Sequence, residues 1–102
     1  MMFEASVSLQ VLPDTGTREE TFRIVDEVID YIIQSGVKYV VGPFETTMEG
    51  DLDTLLGIVA EAQRICAREG ASDVYSVVKI AYCETGVATV EEKTGKYQRV
   101  PV

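Results

Sequence analysis

The feature that most constrains this chain is a change of hydrophobic period, from two to 3.6, that occurs twice along it. From Ala5 to Leu12, apolar and small polar residues alternate, which is the mark of a half-buried strand. Pro13-Asp14-Thr15-Gly16 breaks the run with turn chemistry. Thr17 and Glu20 then stand at capping-box spacing. Phe22, Val25, Ile29 and Ile32, widened by Val28 and Ile33, follow a helical period that Gly36 stops. Val37–Val41 reads as a second strand, Gly42-Pro43 as a turn, and Phe44–Glu49 as a third strand, the short link favouring an antiparallel hairpin. The helical period returns after Asp51, a predicted N-cap, through Leu52, Leu55, Leu56, Val59, Ala62 and Cys66 to Gly70. Asp73–Tyr82 predicts a fourth strand.

The resulting order, β-α-β-β-α-β, predicts an α+β fold: a ferredoxin-like sandwich with a four-stranded antiparallel sheet and two helices on one face. The length of 102 residues suits one domain, 1–102, whose residues 84–102 form a polar C-terminal tail with a short helical turn at Glu91-Glu92-Lys93. If Ala5, Val7, Leu9 and Val11 point at the helices, Ser6, Ser8 and Gln10 point at the open face. By the same alternation Glu45, Thr47 and Glu49 share one face of the third strand, and Phe44, Thr46 and Met48 the other. The fourth strand is apolar on both sides, with Val74, Val78 and Ile80 opposed to Tyr75, Val77 and Ala81. That pattern predicts burial on both sides, and hence homo-oligomerisation through the open face.

Composition restricts the chemistry. The chain has no histidine and no tryptophan, so a Ser-His-Asp triad, a Cys-His dyad and an imidazole metal ligand are all excluded. Cys66 and Cys83 are too far apart for a paired zinc or redox motif. Cys66 falls on a predicted apolar stripe, and the carboxylate of Glu84 beside Cys83 opposes thiolate formation. Gly42, Gly50 and Gly70 lack phosphate-loop spacing. Neither a catalytic residue, a metal site nor a cofactor is therefore expected. The net charge of −8 repels a phosphate backbone, and no nucleic-acid partner is expected. No apolar run reaches the roughly 20 residues that span a bilayer. Met1 to Leu12 lacks a basic signal-peptide n-region, so a cytoplasmic protein with no membrane partner is expected.

The densest run of functional groups is Gly42–Gly50, with two hydroxyls, two carboxylates and an aromatic. Such a hairpin can orient and stack a flat heteroaromatic ligand. Threonine also suits strands and glutamate a solvated face, so composition alone leaves both readings open. A glycosidase-like pairing of Glu45 with Glu49 is disfavoured, because four strand residues separate them by roughly 13 Å. Lys79 either pairs with a carboxylate or reaches a partner chain across the open face.

Val41-Gly42-Pro43-Phe44-Glu45-Thr46-Thr47-Met48-Glu49-Gly50-Asp51 resembles the central motif of the thiamine-binding protein family, formerly an uncharacterised family of small proteins. Ser6–Pro13, Ser35–Tyr39, Lys79–Tyr82 and Thr89–Lys93 fit the same pattern, so the resemblance covers nearly the whole chain. It implies a ferredoxin-like subunit in a homo-dimer or homo-tetramer. It further implies a thiamine-like ligand, or its hydroxymethylpyrimidine portion, that is carried and not transformed. Thr46, Thr47 and Glu49 match the motif directly, and Ser8, Tyr39 and Lys79 are weaker additions. Cys83 departs from the basic or polar residue expected after the tyrosine. Thr hydroxyls and a Glu carboxylate match an aminopyrimidine edge, and Phe44 or Tyr39 offers a stacking face. Because few Lys or Arg lie near the hairpin in sequence, unphosphorylated thiamine is expected to be preferred over its diphosphate. The alternative to a ligand-binding protein is an oligomeric interaction or regulatory module without a physiological small ligand.

Overall fold

The computed structural model describes residues 2–98. The chain runs β1 (Ala5–Pro13), α1 (Arg18–Gln34), β2 (Lys38–Val41), β3 (Thr46–Gly50), α2 (Leu52–Arg68) and β4 (Val74–Tyr82). A short α3 (Val90–Thr94) and a 3-10 turn (Gly95–Tyr97) follow within the expected tail, whose last four residues lie outside the described ones. The sheet order is β2-β3-β1-β4 with every neighbouring pair antiparallel, which is the ferredoxin-like α+β arrangement anticipated from the element order.

Local chemistry sets the boundaries. Thr17 Oγ1 accepts the Glu20 amide at 3.1 Å, and Asp51 Oδ2 accepts the Thr54 amide at 3.0 Å, each satisfying a free N–H at a helix start. The first capping box is only half made. Glu20 turns its carboxylate to Arg23, which also reaches Glu69 at the end of α2 and so ties the two helices together. Gly36 follows α1 at φ +84°, a conformation side chains with a Cβ rarely adopt. β3 starts at Thr46 because the Gly42 amide donates to the Glu45 carbonyl, which places Pro43 and Phe44 in the turn.

The core lies between both helices and one face of the sheet: Ala5, Val7, Leu9 and Met48 from the strands, Ile24, Val28 and Ile32 from α1, Leu55, Ile58 and Ala62 from α2. The buried row of α1 is thus offset from the predicted stripe. Ile24, Val28 and Ile32 follow one another at four-residue steps, while Phe22 is 61% exposed and Ile33 also faces out. α1 is apolar on more than one side, and the sheet can cover only one row. β4 is paired only to β1 and lies at the sheet edge, with Tyr75, Ile80 and Tyr82 exposed. Within one chain, the expected burial of both sides of β4 does not occur. No helix among the described residues is long and apolar enough to cross a membrane.

Candidate ligand-binding cleft

Residues directly opposite in an antiparallel pair point to the same face. Ser8 pairs with Thr47 on one side and Lys79 on the other, and Thr47 pairs with Val40. Val40, Thr47, Ser8 and Lys79 therefore form a row across the face remote from α1 and α2. Lys38, Glu49, Ser6 and Ala81 form the next row. Glu45, just before β3, joins the first row: its Oε1 accepts from the Ser8 hydroxyl at 3.1 Å and lies 3.4 Å from Lys79 Nζ. Ser6, Ser8, Glu45, Thr47, Lys79 and Lys93 line an open cleft of about 230 Å³.

Lys93 arrives from the C-terminal segment, where the short helical turn expected at Glu91-Glu92-Lys93 forms as α3. After β4 the Cys83 amide donates to the Glu4 carbonyl and the Val87 amide to the Phe3 carbonyl, drawing the chain alongside its own N-terminus. Thr89 and Glu92 then make a complete capping box that starts α3. Glu49 Oε2 accepts the Val90 amide at 2.8 Å and so pins that start to the sheet. The Glu49 side chain is 2% exposed, and its Oε1 lies 3.8 Å from Lys38 Nζ. A buried carboxylate needs such partners, and Glu49 has one on each oxygen. No buried side-chain polar atom among the described residues lacks a hydrogen-bond partner.

The structure thus divides the residues singled out from sequence. Ser8, Thr47 and Lys79 come together in the cleft. Glu49 stands beside it but is engaged in holding α3. Thr46 and Phe44 lie on the opposite side of the sheet, where they border an apolar crevice of about 80 Å³ with Val28 and Ile32. Tyr39 pairs with Met48, so it shares the helix-side face and borders neither space. Within one chain, no ring from Phe44 or Tyr39 lines the cleft. Ser6, Glu45 and Lys93 were missed as cleft residues. The strand alternation marks the first two, and the T-x-x-E spacing of Thr89 and Glu92 marks the segment that brings the third.

Cys83 is exposed and outside the cleft, with Sγ 3.2 Å from Thr85 Oγ1; that hydroxyl holds its thiol below the ordinary value. Cys66 is buried, and desolvation pushes its thiol up. No cluster of three or more His, Cys, Asp or Glu side chains suited to a metal ion occurs among the described residues.

Residues 7–98 match the family model described as thiamine-binding protein. The chain belongs to the thiamine-binding protein family. Among its relatives, a UPF0045 protein of Clostridium perfringens is 52% identical over 97 residues, covering 95% of this chain and all of that one. A Bacillus cereus domain of unknown function, DUF77, is 39% identical with a TM-score of 0.85, over 97% of this chain and 94% of that one. A Thermotoga maritima structure, proposed as a thiamine biosynthesis or salvage protein, is 32% identical with a TM-score of 0.81, over 92% and 98% of the two chains. Within the span that matches the family lie the three members of that row that line the cleft, Ser8, Thr47 and Lys79, together with Glu45 and Lys93.

Proposed function

We propose that this family member binds, without transforming it, a small heterocycle, thiamine or its hydroxymethylpyrimidine portion, in the open-face cleft. The observation that carries this reading is the convergence of Ser8, Thr47, Glu45 and Lys79 from three strands and the hairpin on one space. Hydroxyl, carboxylate and ammonium groups together supply the donors and acceptors that an aminopyrimidine edge presents in complement. At about 230 Å³ the cleft is smaller than the roughly 300–1,000 Å³ of a drug-sized site, which suits one ring better than two. A carrier role fits a chain without histidine whose exposed thiol lies outside the cleft.

We further propose that the 102 residues form one domain that works as a homo-dimer or homo-tetramer. β4 presents a nine-residue unpaired edge with apolar side chains on both faces, an arrangement that single chains ordinarily avoid or cover. Two unpaired cysteines fit the reducing conditions of a cytoplasmic setting.

Isothermal titration with thiamine and with hydroxymethylpyrimidine tests the binding reading, with Thr47→Val as the diagnostic variant. Saturable binding that weakens about tenfold in Thr47→Val is expected, the cost of one hydrogen bond left unmade. Absence of saturable heat with either compound overturns it in favour of an assembly module.

A further inference from the structure

The four lysines of the chain and the arginines of its described part are segregated. Arg18, Arg23, Arg64 and Arg68 all lie on α1 and α2, whereas Lys38 is on β2, Lys79 on β4, Lys93 on α3 and Lys96 in the following turn. Three of these lysines stand on or beside the open face, in a protein whose net charge is −8. Sequence spacing hides this, since 41 residues separate Lys38 from Lys79 and the sheet register brings them to one surface.

The carboxylates on that surface are already committed. Glu45 faces Lys79 at 3.4 Å and accepts the Ser8 hydroxyl, while Glu49 accepts the Val90 amide with Lys38 at 3.8 Å. Lys93 lines the same cleft, and among the described residues no carboxylate lies within ion-pair distance of it. Among the residues that line the cleft, two ammonium groups, Lys79 and Lys93, meet one carboxylate, Glu45. The rest of the acidic surface acts from farther away and is screened over about 8–10 Å at physiological salt. A ligand in the cleft therefore meets local positive charge flanked by the hydroxyls of Ser6 and Thr47.

We propose that the cleft selects a ligand bearing an anionic group, a phosphate ester or a carboxylate, attached to a neutral flat ring, with Lys93 as the residue that recognises the anion. This rests on the binding function proposed above and narrows it. It favours a phosphorylated pyrimidine over a thiazolium cation, and it reverses the preference for an unphosphorylated ligand that the sequence around the hairpin suggested. The premise of that expectation, a hairpin poor in cations, fails in three dimensions because Lys79 and Lys93 reach it from β4 and α3. Lys93 acts as a point charge on a flexible stem, so it suits an anion without demanding the two-pronged geometry arginine provides.

The test is titration of hydroxymethylpyrimidine, its phosphate ester, thiamine and thiamine monophosphate into the wild type, Lys93→Gln and Lys96→Gln, at low and high salt. Lys93 and Lys96 are both exposed, so neither change removes core packing, and Lys96 does not line the cleft. The expected result is that each phosphate ester binds about tenfold more tightly than its parent alcohol. That gain should vanish in Lys93→Gln, shrink with salt and persist in Lys96→Gln. Esters that bind no better than their alcohols, or a gain that survives Lys93→Gln, overturn the anion proposal while leaving heterocycle binding standing. No binding by any of the four compounds overturns both.

Discussion

On the helix side of β1, Ala5, Val7 and Leu9 are buried by apolar contact with α1 and α2. On the other side, Ser6 and Ser8 are only 7% and 8% exposed, and neighbouring Glu49 only 2%, yet their surroundings are polar. The first kind of burial is non-directional and releases water from apolar surface. The second is tolerated where particular partners meet the polar groups: Glu45 for Ser8, the Val90 amide and Lys38 for Glu49. One side of the sheet therefore stores stability, and the other stores specific geometry. Removing a side chain should have different consequences on the two sides.

The largest effect is expected on the helix side. Leu55→Ala empties a site with no solvent exposure and should cost about 2–5 kcal/mol in chemical denaturation, in the range of core leucine truncations. The next is at the boundary between sheet and α3. Glu49→Ala leaves the Val90 amide without its acceptor and should lower stability by about 1–3 kcal/mol. Amide hydrogen exchange across Val90–Thr94 should accelerate far more than exchange in β1, whereas Glu49→Gln, which keeps an acceptor, should protect α3 better than alanine does. Equal exchange in wild type and Glu49→Ala would show that the carboxylate does not hold the segment.

A finer probe uses two neighbours of one residue type. Thr46 and Thr47 are adjacent in sequence and lie on opposite faces. Thr47→Val should weaken ligand binding with little change in melting temperature, whereas Thr46→Val should leave binding within about twofold, a fraction of the energy of one hydrogen bond. A matched loss in both variants would erase the distinction between the faces.

The smallest expected effect is that of pH. Asp51 is held below the ordinary carboxylate range mainly by the Thr54 amide, Glu92 by the Thr89 amide, Glu20 by Arg23 and Glu61 by Arg68. A depressed folded-state pKa gives stabilisation that is complete above the unfolded value and is lost as pH falls through the folded one. Asp51, Glu92 and Glu20 are exposed and Glu61 is half-buried, so melting temperature should be flat above the carboxylate range and decline modestly below it, least at high salt.

Much of this fold is legible in the sequence because its signals are local. The alternation in Ala5–Leu12, the hydroxyl of Thr17, the carboxylate of Asp51 and the glycine at 36 each act within a few residues of themselves. The row of α1 that faces the sheet is less legible, since Phe22 and Ile24 are both apolar and only packing selects Ile24. The cleft was half legible. Strand alternation already separated Thr46 from Thr47, and it placed Glu45 and Thr47 together. It could not align Lys79 with Ser8, because that depends on the register between β1 and β4. Nor could it show that Glu49, chemically a good ligand group, is occupied by a backbone amide 41 residues further along the chain.

In the proposed function the polar face holds the ligand and the apolar crevice does not. The most direct measurement is backbone chemical-shift mapping of the labelled protein titrated with hydroxymethylpyrimidine. Amides of Ser8, Thr47, Lys79 and Lys93 should shift in a saturable manner while those of Val28, Ile32 and Phe44 stay in place. Saturable shifts confined to Val28, Ile32 and Phe44 would contradict it and move the site to the other side of the sheet.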